Sequence, residues 1–180
     1  MSDSREPPSA AAATLDHMND LFLIRMESPI GRLELIGDGA AVTALHIERG
    51  GTLPHDGEPE RTTAVLETAA TQLREYFAGT RSTFDVPVRM TGTPFQLAVW
   101  TELGRLGWGE AITYGSLAAA IGRHGSSRAI GGAVGANPVP IIVGCHRVLG
   151  SDGRVTGYSG GEGITTKLWL LAHERIGVAA

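Results

Sequence analysis

The residues best suited to covalent chemistry stand together in the C-terminal half of the chain. Cys145 is the only cysteine among 180 residues, and His146 and Arg147 follow it directly. A cysteine is nucleophilic as its thiolate, and a nearby imidazole or positive charge favours that form. A lone cysteine is more often an inert, buried side chain. The adjacent histidine and arginine outweigh that default and favour a reactive thiol.

The apolar run before the cysteine predicts a short buried strand over residues 141–143 that ends at Gly144. In an extended strand, neighbouring side chains point to opposite faces, so Cys145 and His146 would not touch directly. A bridging water or a bend at Gly144 would be needed for the imidazole to act on the thiol.

The composition predicts a protein with its own hydrophobic core in a reducing compartment. Hydrophobic residues make up 42% of the chain, which is sufficient for such a core. One cysteine excludes an internal disulfide and a zinc site built on paired cysteines. The sequence shows neither an apolar run of bilayer length nor a secretory leader pattern. We therefore expect a cytoplasmic protein with no membrane contact, no metal and no cofactor.

Charge is distributed unevenly along the chain. Residues 1–90 carry eight arginines against fourteen acidic residues, a balance of −6, whereas residues 91–180 carry six arginines and one lysine against five acidic residues, a balance of +2. The overall charge of −4 argues against a protein that coats nucleic acid by bulk electrostatics. A polyanion would meet the C-terminal half, with modest affinity.

Local patterns divide the chain into a tail, residues 1–20, and two parts, residues 21–89 and 90–180. The tail has no sustained periodicity and is interpreted as disordered. A hairpin signal at Asp38-Gly39 and short segments rich in Leu, Ile and Val predict an antiparallel meander over 21–27, 31–36 and 41–47. Helical spacing over 61–77 predicts a helix that packs on this sheet.

The C-terminal part is expected to be mostly helical. Thr93-Pro94-Phe95-Gln96 combines an N-cap, a proline and a capping-box glutamine. Two short helices, 114–122 and 128–136, the second capped by Ser126-Ser127, predict a helix-turn-helix. The second helix is rich in glycine, which costs about 1 kcal/mol per residue relative to alanine. Another backbone or a nucleic-acid groove must therefore approach this helix closely.

Several ordered motifs together resemble those of O6-alkylguanine-DNA alkyltransferases. They are Thr93-Pro94-Phe95-Gln96, Tyr114-Gly115, Arg128-Ala129-Ile130-Gly131-Gly132-Ala133, Asn137-Pro138, Cys145-His146-Arg147-Val148 and Gly157-Tyr158-Ser159-Gly160-Gly161. The resemblance is close over residues 90–176. It implies an α+β protein with an N-terminal ribonuclease-H-like α/β part containing a small antiparallel sheet, and a helical C-terminal part with a helix-turn-helix.

The resemblance also implies a function, direct-reversal DNA repair by a single-turnover suicide methyltransferase. After base flipping, an alkyl group, chiefly methyl, would pass irreversibly from O6-alkylguanine, or from O4-alkylthymine, to a cysteine. The implied catalytic residues are Cys145, His146, Glu174, Tyr114 and Asn137, with His146, Glu174 and a water forming a proton relay. The implied pocket residues are Val148, Tyr158, Ser159 and Lys167.

The implied partner is double-stranded DNA, approached through the minor groove. Arg128 would replace the flipped base in the stack, and the other residues implied at the DNA are Tyr114, Ser127, Gly131, Gly132, Ala133 and Gly135. The protein is expected to be a monomer, with clustering on DNA left open.

Two alternatives remain at this point. A non-catalytic lesion-binding protein, similar to alkyltransferase-like proteins, would lack the cysteine, so Cys145 argues against it. A cysteine hydrolase could use Cys145, His146 and Glu174, although adjacent cysteine and histidine fit such a site poorly. The chain departs from the family pattern at Gly144, where proline is usual, and over residues 107–110.

Overall fold

The computed structural model describes residues 21–179, so the predicted tail lies outside the described residues. The described chain begins with an antiparallel sheet of strand order β1-β2-β3, formed by Phe22–Met26, Leu33–Gly37 and Val42–Ile47. The predicted meander is therefore confirmed. Its second turn is closed by Asp38, whose carboxylate accepts hydrogen bonds from the N–H groups of Ala40 and Ala41.

Helix α1, Ala64–Phe77, packs on this sheet. Thr63 caps it by accepting a hydrogen bond from the N–H of Leu66, so the helix starts three residues later than the apolar spacing predicted. Its buried side carries residues at helical spacing, namely Leu66, Ala69, Ala70, Leu73 and Tyr76. The helix stops before Gly79, whose φ of 72° favours glycine.

The C-terminal part contains four helices: α2 Pro94–Leu103, α3 Tyr114–Ala120, α4 Ser127–Gly135 and α5 Ile164–His173. The capping box of α2 forms between Thr93 and Gln96, as predicted. Helices α3 and α4 form the predicted helix-turn-helix, and Gly122 and Gly125 in their connection have positive φ. The predicted serine cap of α4 is wrong, because the Ser126 side chain makes no capping hydrogen bond.

The segment that carries Cys145 is a turn and not a strand. Ile141 has a φ of 73°, and Cys145–Arg147 form one turn of 3-10 helix. The prediction failed because Ile141 and Val143 are 0% and 5% exposed, and burial alone produces an apolar run in either conformation. The extended pairing begins just afterwards, where β5, Val148–Leu149, lies parallel to β4, Ile112–Thr113.

One core extends through both parts of the described chain. Trp100 on α2 is 2% exposed, and its indole N–H donates to the carbonyl of Ala133 on α4 at 2.8 Å. This bond fixes the glycine-rich helix against α2. Among residues 21–179, no helix is both long enough and apolar enough to cross a bilayer.

We expect Trp100→Phe to lower the free energy of unfolding by about 1–3 kcal/mol, because it removes a buried hydrogen bond and part of a packed side chain. Urea denaturation followed by circular dichroism measures the change. Ala98→Ser, on the exposed side of the same helix, is the control and should change stability little. Equal stabilities of Trp100→Phe and the parent would contradict the role given to this bond.

Candidate active site

Cys145 lies at the wall of a small cavity. The cavity has a volume of about 260 Å³ and is lined by Tyr114, Gly131, Val134, Gly135, Cys145, Gly157, Tyr158 and Ser159. The cysteine itself is 3% exposed. The structure thus brings the thiol together with the glycine-rich helix and with the Tyr158 loop, as the sequence predicted.

Burial raises the pKa of the Cys145 thiol, so the resting group is protonated. Hydrogen bonding from Asn137 and Tyr158 and the positive charge of Lys167 act in the opposite direction. Burial and the neighbouring Cys145 raise the pKa of the Tyr158 hydroxyl, which therefore stays a donor. That hydroxyl is buried, and the Cys145 sulfur is the group to which it donates.

Glu174 gathers the residues around the cysteine turn into one buried network. Its side chain is fully buried, and Oε1 accepts from Tyr76 at 2.8 Å and from Arg147 Nη2 at 2.8 Å. Arg147 Nε donates to Oε2 at 2.7 Å. Burial by itself would raise the pKa of Glu174, but hydrogen bonds from His146 and Arg147 outweigh it and hold the pKa at about 2. The carboxylate is ionised at neutral pH.

His146 is neutral, and Glu174 fixes its tautomer. Burial lowers the pKa of His146, despite the opposing effect of Glu174. Nε2 lies 2.9 Å from Glu174 Oε1, and an ionised carboxylate can only accept, so Nε2 carries the proton. Nδ1 is therefore an unprotonated acceptor, and it is buried without a partner within the described residues. The imidazole can take up a proton at Nδ1.

Asn137 and Lys167 hold the backbone around the thiol. Asn137 Nδ2 donates to the carbonyl of Val143 at 2.9 Å, and its Oδ1 accepts from the N–H of Val139. Lys167 is 1% exposed, and its ammonium donates to the carbonyls of Val148 and Gly157. Lys167 thus joins the strand after the cysteine to the cavity wall, and it lies outside the lining of the cavity itself.

Ser159 and Val148 offer fewer free groups than the sequence suggested. The Ser159 hydroxyl donates to the carbonyl of Gly135 at 2.8 Å, which joins the cavity wall to the end of α4. The Val148 side chain is fully buried, and its carbonyl already accepts from Lys167.

A second cavity adjoins the first on the side of the helix-turn-helix. Its volume is about 540 Å³, and its lining includes Tyr114, Ser127, Arg128 and Gly131. Tyr114 and Gly131 line both cavities. The Arg128 side chain is exposed, with no hydrogen bond or ion pair among residues 21–179.

Ala133 does not belong to this exposed face. It is 4% exposed and lies on the side of α4 that packs against α2. Gly132 and Gly135 are exposed, and a methyl group built on either would meet nothing within 4 Å. The predicted DNA-binding residues of this helix thus comprise exposed glycines and Ala133, whose side chain is buried; their contact with DNA stays a prediction.

The sequence analysis missed Tyr76 and the structural part played by Arg147. Tyr76 lies on α1, 98 residues from Glu174, and no local pattern connects a helix tyrosine to so distant a carboxylate. Arg147 was noted only for its charge, yet it is buried and bonded to both carboxylate oxygens.

Gly144 makes room for the folded side chain of Arg147. Its φ of −71° lies in the range that proline also adopts. A Cβ at this position would, however, lie 2.8 Å from Arg147 Nη1. Glycine is thus required here by the position of the Arg147 side chain and not by the backbone conformation.

Two family models match the chain. Residues 21–90 match the ribonuclease-like domain of 6-O-methylguanine DNA methyltransferase, and residues 94–176 match its DNA-binding domain. Together they account for most of the chain, and they confirm the predicted α+β architecture.

Individual relatives and solved structures point to the same family as these models. The chain is 43% identical over 155 residues to the methylated-DNA–protein-cysteine methyltransferase of Mycobacterium tuberculosis, which covers 83% of this chain and 90% of the relative. Identity to the Haemophilus influenzae protein of the same name is 37% over 161 residues, covering 88% and 89%. A crystal structure of the M. tuberculosis O6-methylguanine methyltransferase superposes with a TM-score of 0.77 at 40% identity, covering 86% of this chain and 93% of the other. A structure of the M. tuberculosis protein in complex with DNA gives 0.75 at 41%, covering 84% and 91%.

The carboxylate of Glu174 should make the free energy of unfolding depend on pH in the acid range. Its pKa is about 2 in the folded chain against an ordinary value of 4.5, so its contribution is complete above pH 4.5 and is lost as the pH falls from there towards 2. We expect Glu174→Gln to be less stable by about 3–5 kcal/mol at neutral pH, because Arg147 keeps an unpaired buried charge.

Urea denaturation of both proteins at several pH values measures this effect. The free energies of unfolding of the parent and Glu174→Gln should converge below pH 4.5, whereas those of the parent and the exposed-site variant Glu67→Gln should stay parallel. A constant difference between the parent and Glu174→Gln across that range would refute the ionised, stabilising carboxylate.

Proposed function

This chain belongs to the 6-O-methylguanine DNA methyltransferase family, and we propose that Cys145 is the residue that accepts the alkyl group. Its activity is direct-reversal repair, in which the alkyl group of a damaged guanine in DNA passes to a cysteine of the protein. The sequence contains one cysteine, so the acceptor in this chain has no alternative. The observation that carries the assignment is the position of that thiol at the wall of a cavity beside the helix-turn-helix.

The transfer is a displacement at the alkyl carbon. The Cys145 sulfur forms a bond to this carbon as the bond from carbon to guanine O6 breaks, and the thiol proton ends on the released guanine. The product thioether has no leaving group that would reverse the step. Each molecule therefore repairs one lesion, and the protein is consumed.

His146 takes up the thiol proton at Nδ1 in this proposal, and this proton is passed on through water as the released guanine gains one, so the imidazole ends neutral. Glu174 supports the step by holding Nε2 as the donor and by stabilising the imidazolium that forms. Cys145 and His146 are neighbours in a 3-10 turn, and a water between sulfur and Nδ1 completes the relay. This arrangement removes the difficulty of opposite faces that a strand would have imposed.

Two donors are suited to the developing charge on guanine. The hydroxyl of Tyr114 accepts only a long hydrogen bond from Thr156, at 3.4 Å, so its own proton is free. The backbone N–H of Ser159 lies in the cavity wall and has no partner in the described part of the chain. Preorganised donors of this kind stabilise a transition state more than a ground state. The Ser159 hydroxyl, already bonded to Gly135, is the weaker candidate.

The target base must leave the duplex to reach the thiol. A cavity of about 150 Å³ already holds one benzene ring, and the volume at Cys145 is larger. Extrusion of a nucleotide costs a few kcal/mol. Arg128 stands on the exposed side of Tyr114, across the shared wall of the two cavities. Its unpaired guanidinium is placed to fill the position that the base vacates.

Double-stranded DNA meets the exposed face of α4 in this proposal, through the minor groove. A narrow groove admits a helix only where the side chains are small, and Gly131, Gly132 and Gly135 supply that surface. The absence of a side-chain cap on α4 leaves backbone N–H groups free for a phosphate. Every residue that the proposal uses lies in one chain, and we propose that this chain acts as a monomer. The boundary between its two parts lies near residue 90.

The central test is incubation with an oligonucleotide that contains one O6-methylguanine, followed by mass spectrometry of the Cys145 peptide. We expect one methyl group per protein molecule on that peptide, and none with an unmodified oligonucleotide. Cys145→Ala should abolish transfer and still bind DNA in fluorescence anisotropy. Methylation at another residue, or repeated turnover, would sink the assignment.

Two substitutions of Gly132 test the stability of α4 and its DNA binding separately. Gly132→Ala should raise the free energy of unfolding by up to about 1 kcal/mol, since alanine is the better helix residue and the position is open. Gly132→Leu should weaken binding to a lesion-containing duplex, because its side chain fills the groove-facing surface. Urea denaturation and fluorescence anisotropy measure the two effects. Thr71→Leu, on the exposed side of α1, is the matched control. Equal DNA affinities of the two leucine variants would argue against DNA binding by the exposed face of α4.

A further inference from the structure

Three potential metal ligands meet on the sheet, away from the cysteine. They are Glu34 on β2, His46 on β3 and His55 in the following loop, and one ligand atom of each lies within 4.8 Å of the others. Glu34 and His46 are directly opposite each other in the β2–β3 register, so their side chains share one face.

We propose that Glu34, His46 and His55 form a binding site for one divalent transition metal ion, with zinc as the best match. Two imidazoles and one carboxylate are ligands that zinc prefers. The ion would join the loop over residues 50–60 to the sheet.

The carboxylate presents its two oxygens to different partners. Glu34 is fully buried, Oε1 lies 2.8 Å from His55 Nδ1, and Oε2 accepts from Arg25 Nε at 3.2 Å. Oε1 is therefore directed to the His55 imidazole, while Arg25 holds the other oxygen. Hydrogen bonding to the second oxygen of a ligating carboxylate is a usual feature of metal sites.

Arg25 also fixes the loop that carries His55. Its guanidinium donates to the backbone carbonyls of His55 and Glu58, and Glu60 lies 3.9 Å away and offsets part of its charge. One arginine thus positions two of the three ligands. The same contacts would form a plain salt-bridge network without a metal, and this is the alternative that the experiment must exclude.

His46 distinguishes the two possibilities. Its imidazole makes no hydrogen bond within the described residues, although it faces a buried carboxylate and contacts the His55 ring at a centroid distance of 6.1 Å. A ring nitrogen of this half-buried imidazole is therefore free to bind a metal. A salt-bridge network needs only Glu34, Arg25 and His55 and gives His46 no part.

The separations allow coordination after a small side-chain movement. Zinc binds nitrogen and oxygen at about 2.0–2.2 Å, which places tetrahedral ligand atoms about 3.3 Å apart. No two ligand atoms in the cluster are more than 4.8 Å apart, so no gap has to close by more than about 1.5 Å. His46 also lines a cavity of about 450 Å³, so water can reach this ligand.

Zinc titration of the full chain, freed of metal with a chelator, tests the proposal by isothermal calorimetry. We expect one zinc per chain, retained in Cys145→Ser, which removes the other strong zinc ligand. His46→Ala and His55→Ala should each weaken binding at least about tenfold. His124→Ala, an exposed histidine in the connection between α3 and α4, is the matched control and should bind like the parent.

Thermal unfolding supplies a second readout. Zinc should raise the melting temperature of the parent and of Cys145→Ser, because an ion that binds only the folded chain stabilises it. It should not raise that of His46→Ala, and His46→Gln replaces this variant if circular dichroism shows misfolding. No zinc binding, zinc binding lost with Cys145 alone, or equal affinity in the parent and both His46 variants would overturn the site and leave the salt-bridge network as its explanation.

Discussion

A single buried carboxylate, that of Glu174, sets the geometry around the reactive thiol. A charge removed from water is costly unless donors surround it, and here the donors come from α1, through Tyr76, and from the cysteine turn, through His146 and Arg147. The carboxylate lies at the C-terminal end of α5. Three distant segments must therefore meet at one point for the charge to be tolerated. The imidazole orientation follows from that requirement.

The surroundings of Cys145 keep its thiol protonated in the absence of substrate. Burial raises the pKa of the thiol, while Asn137, Tyr158 and Lys167 limit the increase. A protein that is consumed by one reaction is wasted by any other electrophile or oxidant, and thiolates are the form that these reagents attack. A protonated thiol is a poor nucleophile until a base removes its proton. The balance of effects at the sulfur thus fits single use.

Sequence patterns located what is local and missed what is distant. The capping box at Thr93 and the helix-turn-helix were predictable because neighbouring residues determine them. Burial of residues 141–143 was predicted correctly but their conformation was not, since an apolar run fits a buried turn as well as a strand. The burial of the Ala133 side chain was not predicted, because its small size suits both a groove and a helix contact. Tyr76 and the pairing of Glu34 with His46 depend on tertiary contacts that no local pattern encodes.

The N-terminal part contributes to the site without lining it. None of the residues around the cavity at Cys145 comes from residues 21–89, yet this part contacts the site's support in three places. The N–H of Leu45 donates to the carbonyl of Pro138, the N–H of Gly50 donates to Glu162 beside the cavity wall, and Tyr76 donates to Glu174. These contacts reach the turn before the cysteine, the loop after Tyr158 and the carboxylate. Displacements of about 1 Å at reacting atoms are costly to catalysis. The sheet and α1 therefore support the reaction by fixing the positions of the cysteine turn, the loop after Tyr158 and Glu174.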